Sequence, residues 1–270
     1  MNVLNMKEIK EIELSILKDI DAFCKKNNIK YSLWAGTMLG AIRHQGFIPW
    51  DDDIDIAMTR KEYEKFKKLV LSGYKIAEHL DLVFPLDDNY FYAFPKVIDT
   101  QTIVEHDDTV FKRSYGIWVD IFVIDYLDDD YDASKKILDK ALDYFKYNTL
   151  YTWNDTISSS FRLFLKKILK KYFDLVGKNS KYWNKKILSL TNNKKSRYCG
   201  EIVCPVNNEE IYESEYFEDY IYVKFEDCEF PIYKSYKECL TLLYGDYMKL
   251  PPESERVDHR MKAYRIEDEK

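Results

Sequence analysis

The sequence predicts an α+β fold, a mixed sheet core carrying helices, with a basic helical insertion. Three observations predict it. Segments with apolar residues at three- and four-residue spacing alternate with short apolar runs of strand length. The most apolar run of all, Tyr115 to Asp125, has the character of a central strand. Between about 131 and 195, helical patterns follow one another with mixed segments on either side. At 270 residues the chain suits one large domain or two small ones, and residues 1–270 read as a single domain into which 131–195 is inserted.

Residues 6 to 27 place Ile9, Ile12, Ile16, Ile20 and Phe23 on one face, which predicts an amphipathic helix with a packing role. Tyr31 to Trp34 is a short apolar strand, Ala35-Gly36-Thr37 a small-residue turn, and Met38 to Arg43 the start of a helix. A strand over 53 to 57 follows, with Asp53 and Asp55 on one face and Ile54 and Ile56 in the core. Thr59-Arg60-Lys61-Glu62 has the spacing of a capping box, and Tyr63, Phe66, Leu69 and Val70 give the next helix an apolar face up to Gly73. Short strands and turns fill Leu82 to Glu105, among them Phe94 to Ile98. Beyond the central strand and a turn at Asp128 to Tyr131, Ile137, Leu138, Ala141, Leu142 and Phe145 mark a helix. A second helix, Ser160 to Val176, is expected to bury Phe161, Phe164, Leu165, Ile168, Leu169 and Tyr172 while showing its lysines on another face, and a third covers Tyr182 to Leu190. Strands at Tyr220 to Phe225 and Cys228 to Phe230 precede a helix from Ser235 to Tyr244, stopped by Gly245. Leu250-Pro251-Pro252 ends the pattern, and Arg256, His259 and Arg260 follow in a polar tail.

The chemistry concentrates between Tyr31 and Phe66. Asp51, Asp52, Asp53 and Asp55 are four aspartates in five residues. Carboxylates held this close raise each other's pKa and partly neutralise unless a cation lies between them. Mg²⁺ or Mn²⁺ suits such a site, because a hard ion takes oxygen ligands from one or two carboxylates together with substrate phosphates. The small-residue turn upstream leaves backbone N–H groups free to meet a phosphate. Downstream, Asp120 stands inside the apolar run, where an unpaired carboxylate is costly; the same metal would be its partner. Asp125, near the strand's end, is placed to cap the following turn. An acidic cluster behind a proline is also the mark of a solvated turn. The Gly-Thr pair, the apolar flanks and the third carboxylate favour the metal site. Lys96 is a phosphate contact if its strand neighbours the aspartates, and otherwise a solvated lysine.

Hydrophobic residues make up 46% of the chain, ample for a packed core. It has neither a basic-then-apolar leader nor an apolar run of about 18 residues, so cytoplasmic residence is expected. Five scattered cysteines without a C-x-x-C pair predict buried thiols rather than disulfides or zinc. The net charge of −6 argues against nucleic-acid binding but hides an asymmetry. Residues 161–197 carry twelve basic side chains against Asp174 alone, so that segment is +11 and the remainder −17. Such a split points to a polyanion or an anionic membrane surface, and a protein peripheral to the inner face of the membrane.

Three blocks resemble the LicD family of phosphocholine and related phospho-alkanol transferases, relatives of fukutin and the fukutin-related protein. They are Gly36-Thr37-x-Leu39-Gly40-Ala41-Ile42-Arg43-His44-x-Gly46-Phe47-Ile48-Pro49-Trp50-Asp51-Asp52-Asp53-Ile54-Asp55, then Val119-Asp120-Ile121-Phe122, and last Tyr244-Gly245-Asp246-Tyr247 with Pro251-Pro252, Arg256 and His259. The resemblance implies a nucleotidyltransferase-like core, as in the DNA polymerase beta superfamily, with Gly36-Thr37 as the turn and Asp53, Asp55 and Asp120 as metal ligands and catalytic carboxylates. It implies transfer of a phospho-alkanol group from a CDP-linked donor, CDP-choline favoured, to a hydroxyl of teichoic acid, lipopolysaccharide or a lipid-linked glycan, releasing CMP. Asp120 would be the general base. Gly36 and Thr37 would cradle phosphate, with Arg43, Lys96, Arg256 and His259 neutralising the diphosphate. Choline needs aromatic faces, but a chain with 16% aromatic residues puts them beside any motif, so the alkanol stays open. Two rivals also remain. One is nucleotidyl transfer to a small hydroxyl acceptor; the other is a non-catalytic binding protein.

Overall fold

The computed structural model describes residues 2–88, 90–105, 115–152, 160–256 and 262–266. After β1 (Asn2–Val3), Asn5 fixes the start of α1 (Met6–Lys26): its side chain accepts from the Lys7 and Glu8 N–H groups while Glu8 accepts from the Asn5 N–H. The helix buries Ile9, Ile16, Leu17, Ile20 and Phe23. It then leads through β2 (Ser32–Leu33), α2 (Ala35–His44), β3 (Asp55–Thr59) and α3 (Arg60–Leu71). Thus only Trp34 separates β2 from α2, the bend falls at Ala35, whose φ is 43°, and Gly36 and Thr37 lie in the first helical turn. The strand of aspartates starts at Asp55, with Asp53 in the extended approach to it. The expected capping box does not form: the Thr59 side chain caps nothing, and Glu62 accepts instead from the Lys30 N–H.

Next come β4 (Leu80–Val83), β5 (Lys96–Asp99), β6 (Thr102–Glu105) and β7 (Trp118–Tyr126), the expected central strand. Before β7 the chain passes so close to β5 that a Cβ on Gly116 would lie 1.6 Å from the Asp99 carbonyl oxygen, which only glycine allows. Three helices follow, α4 (Tyr131–Thr152), α5 (Ser160–Leu175) and α6 (Ser180–Leu188). The remainder is β8 (Tyr198–Glu201), β9 (Tyr212–Glu213), β10 (Tyr220–Phe225), β11 (Cys228–Tyr233), α7 (Tyr236–Tyr244) and β12 (Lys262–Arg265).

The main sheet is mixed. Its order is β2-β3-β7-β5-β4, with β8 on β7 and β9 on β8. Only β3 and β7 run parallel in it; the other pairs are antiparallel. A hairpin of β10 and β11 stands beside it, and the tail returns as β12 to pair with β1 and β6, where only a polar tail was expected. Cys24, Cys199 and Cys239 are buried thiols, while Cys204 and Cys228 are half-buried.

In the inserted helices, α4 and α6 pack together and close Leu138, Ala141 and Ile187 over Phe94, Leu127 and Ile202. The helix α5 departs from expectation. Phe164, Leu165, Ile168, Leu169 and Tyr172 are exposed, not buried; Phe173 is the side chain that docks, against Tyr147 and Trp183. The Phe161 side chain lies outside the described residues.

Candidate active site

Strand register assembles the site. On parallel strands Asp55 of β3 faces Asp120 of β7, and on the other flank of β7 Lys96 of β5 faces Asp120. Directly opposed residues share a sheet face, so Asp55, Asp120 and Lys96 form a row across three neighbouring strands. All three are buried. Asp53 precedes the row by two residues of extended chain, and the central carboxylate is therefore adjacent to the acidic run rather than across the molecule from it.

Each member is held. The Thr37 hydroxyl accepts from the Asp55 N–H at 2.8 Å, and the Trp34 N–H donates to the Asp55 carbonyl at 2.9 Å, locking the first turn of α2 to the start of β3. Lys96 Nζ donates to Asp120 Oδ1 at 2.5 Å, and Trp118 Nε1 to Oδ2 at 3.2 Å. The partner required for Asp120 is thus Lys96, whose ammonium also lies 4.3 Å from the Trp118 ring centre. Asp125 caps no turn: Arg60, the first residue of α3, binds both of its oxygens at 2.8 Å, a buried pair absent from the sequence reading.

Negative charge exceeds positive here. Burial, then Asp53, Asp120 and Asp51, push the Asp55 carboxyl well above the usual carboxylate range, with Lys96 opposing. Glu13, on the buried stripe of α1, is raised by burial and then by Asp53 and Asp52, and neither of its oxygens accepts a hydrogen bond. Glu201 of β8 accepts from Trp34 Nε1 at 3.2 Å and is raised by burial and by Glu210, itself pushed up to about 7 by burial. Sequence reasoning missed these three glutamates. Glu13 alone left a signal, a carboxylate four residues after Ile9 and three before Ile16.

The parts expected to meet phosphate lie alongside. A Cβ on Gly36 would lie 2.8 Å from Asp51 Oδ2, so the absent side chain is what lets Asp51 approach the first turn of α2. The Trp34 carbonyl takes the Met38 N–H at 3.0 Å, and among the described residues no helical carbonyl takes the N–H groups of Gly36 and Thr37. A cavity of about 540 Å³ opens beside it, walled by Gly36, Asp51, Trp50, Tyr244, Asp246 and Tyr247 among others. Arg43 lines it too, donating to the Tyr247 carbonyl at 2.8 Å and so fastening the chain after α7. Arg256 donates to the Pro251 carbonyl at 3.0 Å and lies 4.8 Å from the Trp50 ring centre. The structure thus gathers Asp53, Asp55, Asp120, Lys96, Gly36 and Thr37, and sets Arg43 at the adjoining cavity, with Arg256 against its Trp50 and Pro251 walls. His259 lies outside the described residues.

Among the described residues no group of three or more His, Cys, Asp or Glu side chains converges as a ready metal cage. The donor set nevertheless fits a hard divalent ion. Asp55 is a buried carboxylate in the field of Asp53 and Asp51, an arrangement that a cation relieves.

Residues 28–161 match the family model described as LicD/FKTN/FKRP, nucleotidyltransferase domain. The chain is 31% identical over 269 residues to the lipopolysaccharide cholinephosphotransferase LicD of Haemophilus influenzae, covering 97% of this chain and 98% of that one. Shorter stretches resemble two uncharacterized rickettsial proteins, 43% identical over 65 residues in Rickettsia typhi and 51% over 47 residues in Rickettsia prowazekii. These two matches cover 23% and 17% of this chain, and 21% and 18% of the rickettsial ones.

Proposed function

The chain belongs to the LicD family and is a transferase, and on that premise we propose that it moves phosphocholine from CDP-choline to a hydroxyl of a cell-surface glycan, releasing CMP. One observation supports this above the rest: Asp55, Asp120 and Lys96 meet across three strands, with the Thr37 hydroxyl of the first turn of α2 bonded to the Asp55 N–H, in a chain that matches a cholinephosphotransferase over nearly its whole length. Lipopolysaccharide is the first acceptor to try and teichoic acid the second. In this reading β3, β7, β5 and α2 are a nucleotidyltransferase-like core, and residues 1–270 work as one unit with 131–195 added to it. A lipid-linked acceptor would put the protein at the inner face of the membrane.

The acceptor hydroxyl attacks the phosphorus bearing choline, the bond from that phosphorus to the bridging oxygen breaks, and CMP leaves with the oxygen. Asp120 takes the hydroxyl proton. Lys96 and the first-turn N–H groups of α2, at Gly36 and Thr37, hold phosphate oxygens, with Arg43, Arg256 and His259 further along the donor. Mg²⁺ or Mn²⁺, held by Asp53 and Asp55 with Asp120, would draw charge from the diphosphate. The cavity suits the donor's head, since Trp50, Tyr244 and Tyr247 offer aromatic faces to a quaternary ammonium and Asp51 and Asp246 offer charge.

The test is incubation with CDP-choline, Mg²⁺ and lipopolysaccharide. CMP and choline-bearing acceptor are expected, and a nucleotidylated acceptor would establish the rival transfer instead. Asp53→Asn and Asp55→Asn should each lower metal-dependent turnover by roughly a hundredfold or more, the scale of losing one preorganised charge contact, with the fold intact. Activity retained in both single variants would refute the assignment. CDP-choline should raise the melting temperature more than CDP-glycerol or CDP-ribitol.

A further inference from the structure

The helix α5 carries its apolar face outward. Phe164 is 58% exposed, Ile168 51% and Leu175 84%, and Leu165, Leu169, Tyr172 and Val176 are exposed with them. Their three- and four-residue spacing makes one stripe along the helix. The opposite side holds the attachment to the body. Phe173 is buried with its ring 5.3 Å from Tyr147 and 4.9 Å from Trp183, and Lys170 lies 4.7 Å from the Tyr151 ring centre. Among the described residues nothing covers the stripe.

We propose that α5 is an interfacial membrane helix, which lays this stripe into an anionic phospholipid surface with its lysines in the headgroups. Charge complementarity selects the occupant. Exposed Arg162, Lys166, Lys167 and Lys171 border the stripe, Asp174 is taken up by Lys170 at 2.9 Å, and the surrounding segment is +11. A basic polar face with aromatic and aliphatic residues opposite is the pattern of helices that lie in the interface. A second copy of the chain would bring like-charged lysines together along the same seam, which costs rather than stabilises. Nor does α5 cross the bilayer. Its 16 residues span about 24 Å at 1.5 Å each, short of a hydrocarbon core of about 30 Å, and no helix among the described residues is long and apolar enough to do so. The proposal deepens the membrane location inferred above, yet its test reads lipid and not turnover, so either can fail alone.

The experiment is sedimentation of the full chain with vesicles of phosphatidylglycerol and phosphatidylcholine, against phosphatidylcholine alone, at low and high salt. Binding is expected to the anionic vesicles, with a fraction persisting at high salt because the stripe is inserted. Ile168→Asp combined with Leu175→Asp should weaken it about tenfold or more, through lost apolar burial. Lys166→Glu, Lys167→Glu and Lys171→Glu together should weaken it about a hundredfold or more, since lysines near an anionic leaflet contribute cumulatively. Both variants change exposed positions and should keep the parental melting temperature. In Phe164→Trp, the indole emission should shift to the blue on vesicle addition. Three results would overturn the proposal: no sedimentation at low salt, binding unchanged in the aspartate variant, or a vesicle-indifferent dimer that this variant dissociates.

Discussion

Asp55 shows how the site stands against the fold that holds it. Its carboxyl is raised by burial and by Asp53, Asp120 and Asp51, so the folded chain keeps this proton at pH values where the unfolded chain has released it. The sign follows from linkage: stability falls as pH rises from the ordinary aspartate range through the raised folded value. Asp55→Asn removes that loss. Without divalent ions it should be more stable than the parent near neutral pH, by roughly 0.5–2 kcal/mol, as is common where function strains a site, and its melting temperature should vary less with pH. Mg²⁺ should then raise the melting temperature of the parent and leave that of Asp55→Asn nearly unmoved. An unchanged pH profile in the variant would show that the four carboxylates do not burden the fold. At this scale much was legible. Asp53, Asp55 and Asp120 stood out as acidic residues embedded in apolar sequence, and the need of Asp120 for a partner followed from its burial alone. That Lys96 fills the need was not legible, because it depends on β5 lying beside β7, a register that no local pattern encodes.

Among the elements, the long ones could be read and the short ones could not. The helices α1, α3 and α7 declare themselves by spacing, and β7 by nine residues of apolar run. By contrast β8, β9 and β12 are four, two and four residues long. Over such lengths alternation has too few turns of the pattern to be recognised, and their pairing supplies the order. The reading of α5 went wrong for another reason. An amphipathic period reports that two faces differ, and the expectation that the apolar one must meet protein adds an assumption that the structure removes. The join between α3 and β7 illustrates a strength that sequence conceals. Arg60 is 5% exposed and Asp125 not at all, with two 2.8 Å bonds between them. Removing one side of a buried pair strands the other. Asp125→Asn should therefore destabilise the chain by about 3–5 kcal/mol, read as a shifted midpoint in urea, while any surviving folded protein keeps its turnover per site. A variant as stable as the parent would mean that Glu64, 3.1 Å from Arg60, compensates on its own.

Over the whole molecule, charge is divided between a body of −17 and a segment of +11 that carries α5. An anionic membrane repels the first and attracts the second, so the field that binds the protein also turns it, bringing α5 to the lipid first. The lipid-linked glycan proposed as acceptor would lie at that same surface. Salt separates this delivery from the chemistry. The screening length falls from about 30 Å at 0.01 M to about 8 Å at 0.15 M, so turnover on a vesicle-anchored acceptor should drop across that range. Turnover on a soluble fragment of the same glycan, which needs no docking, should drop less. The charge-reversed lysine variant of α5 should behave at low salt as the parent does at high salt on vesicles, and match the parent on the fragment. Equal salt dependence on both acceptors would mean that the lysines do not deliver the enzyme, even if they touch the membrane.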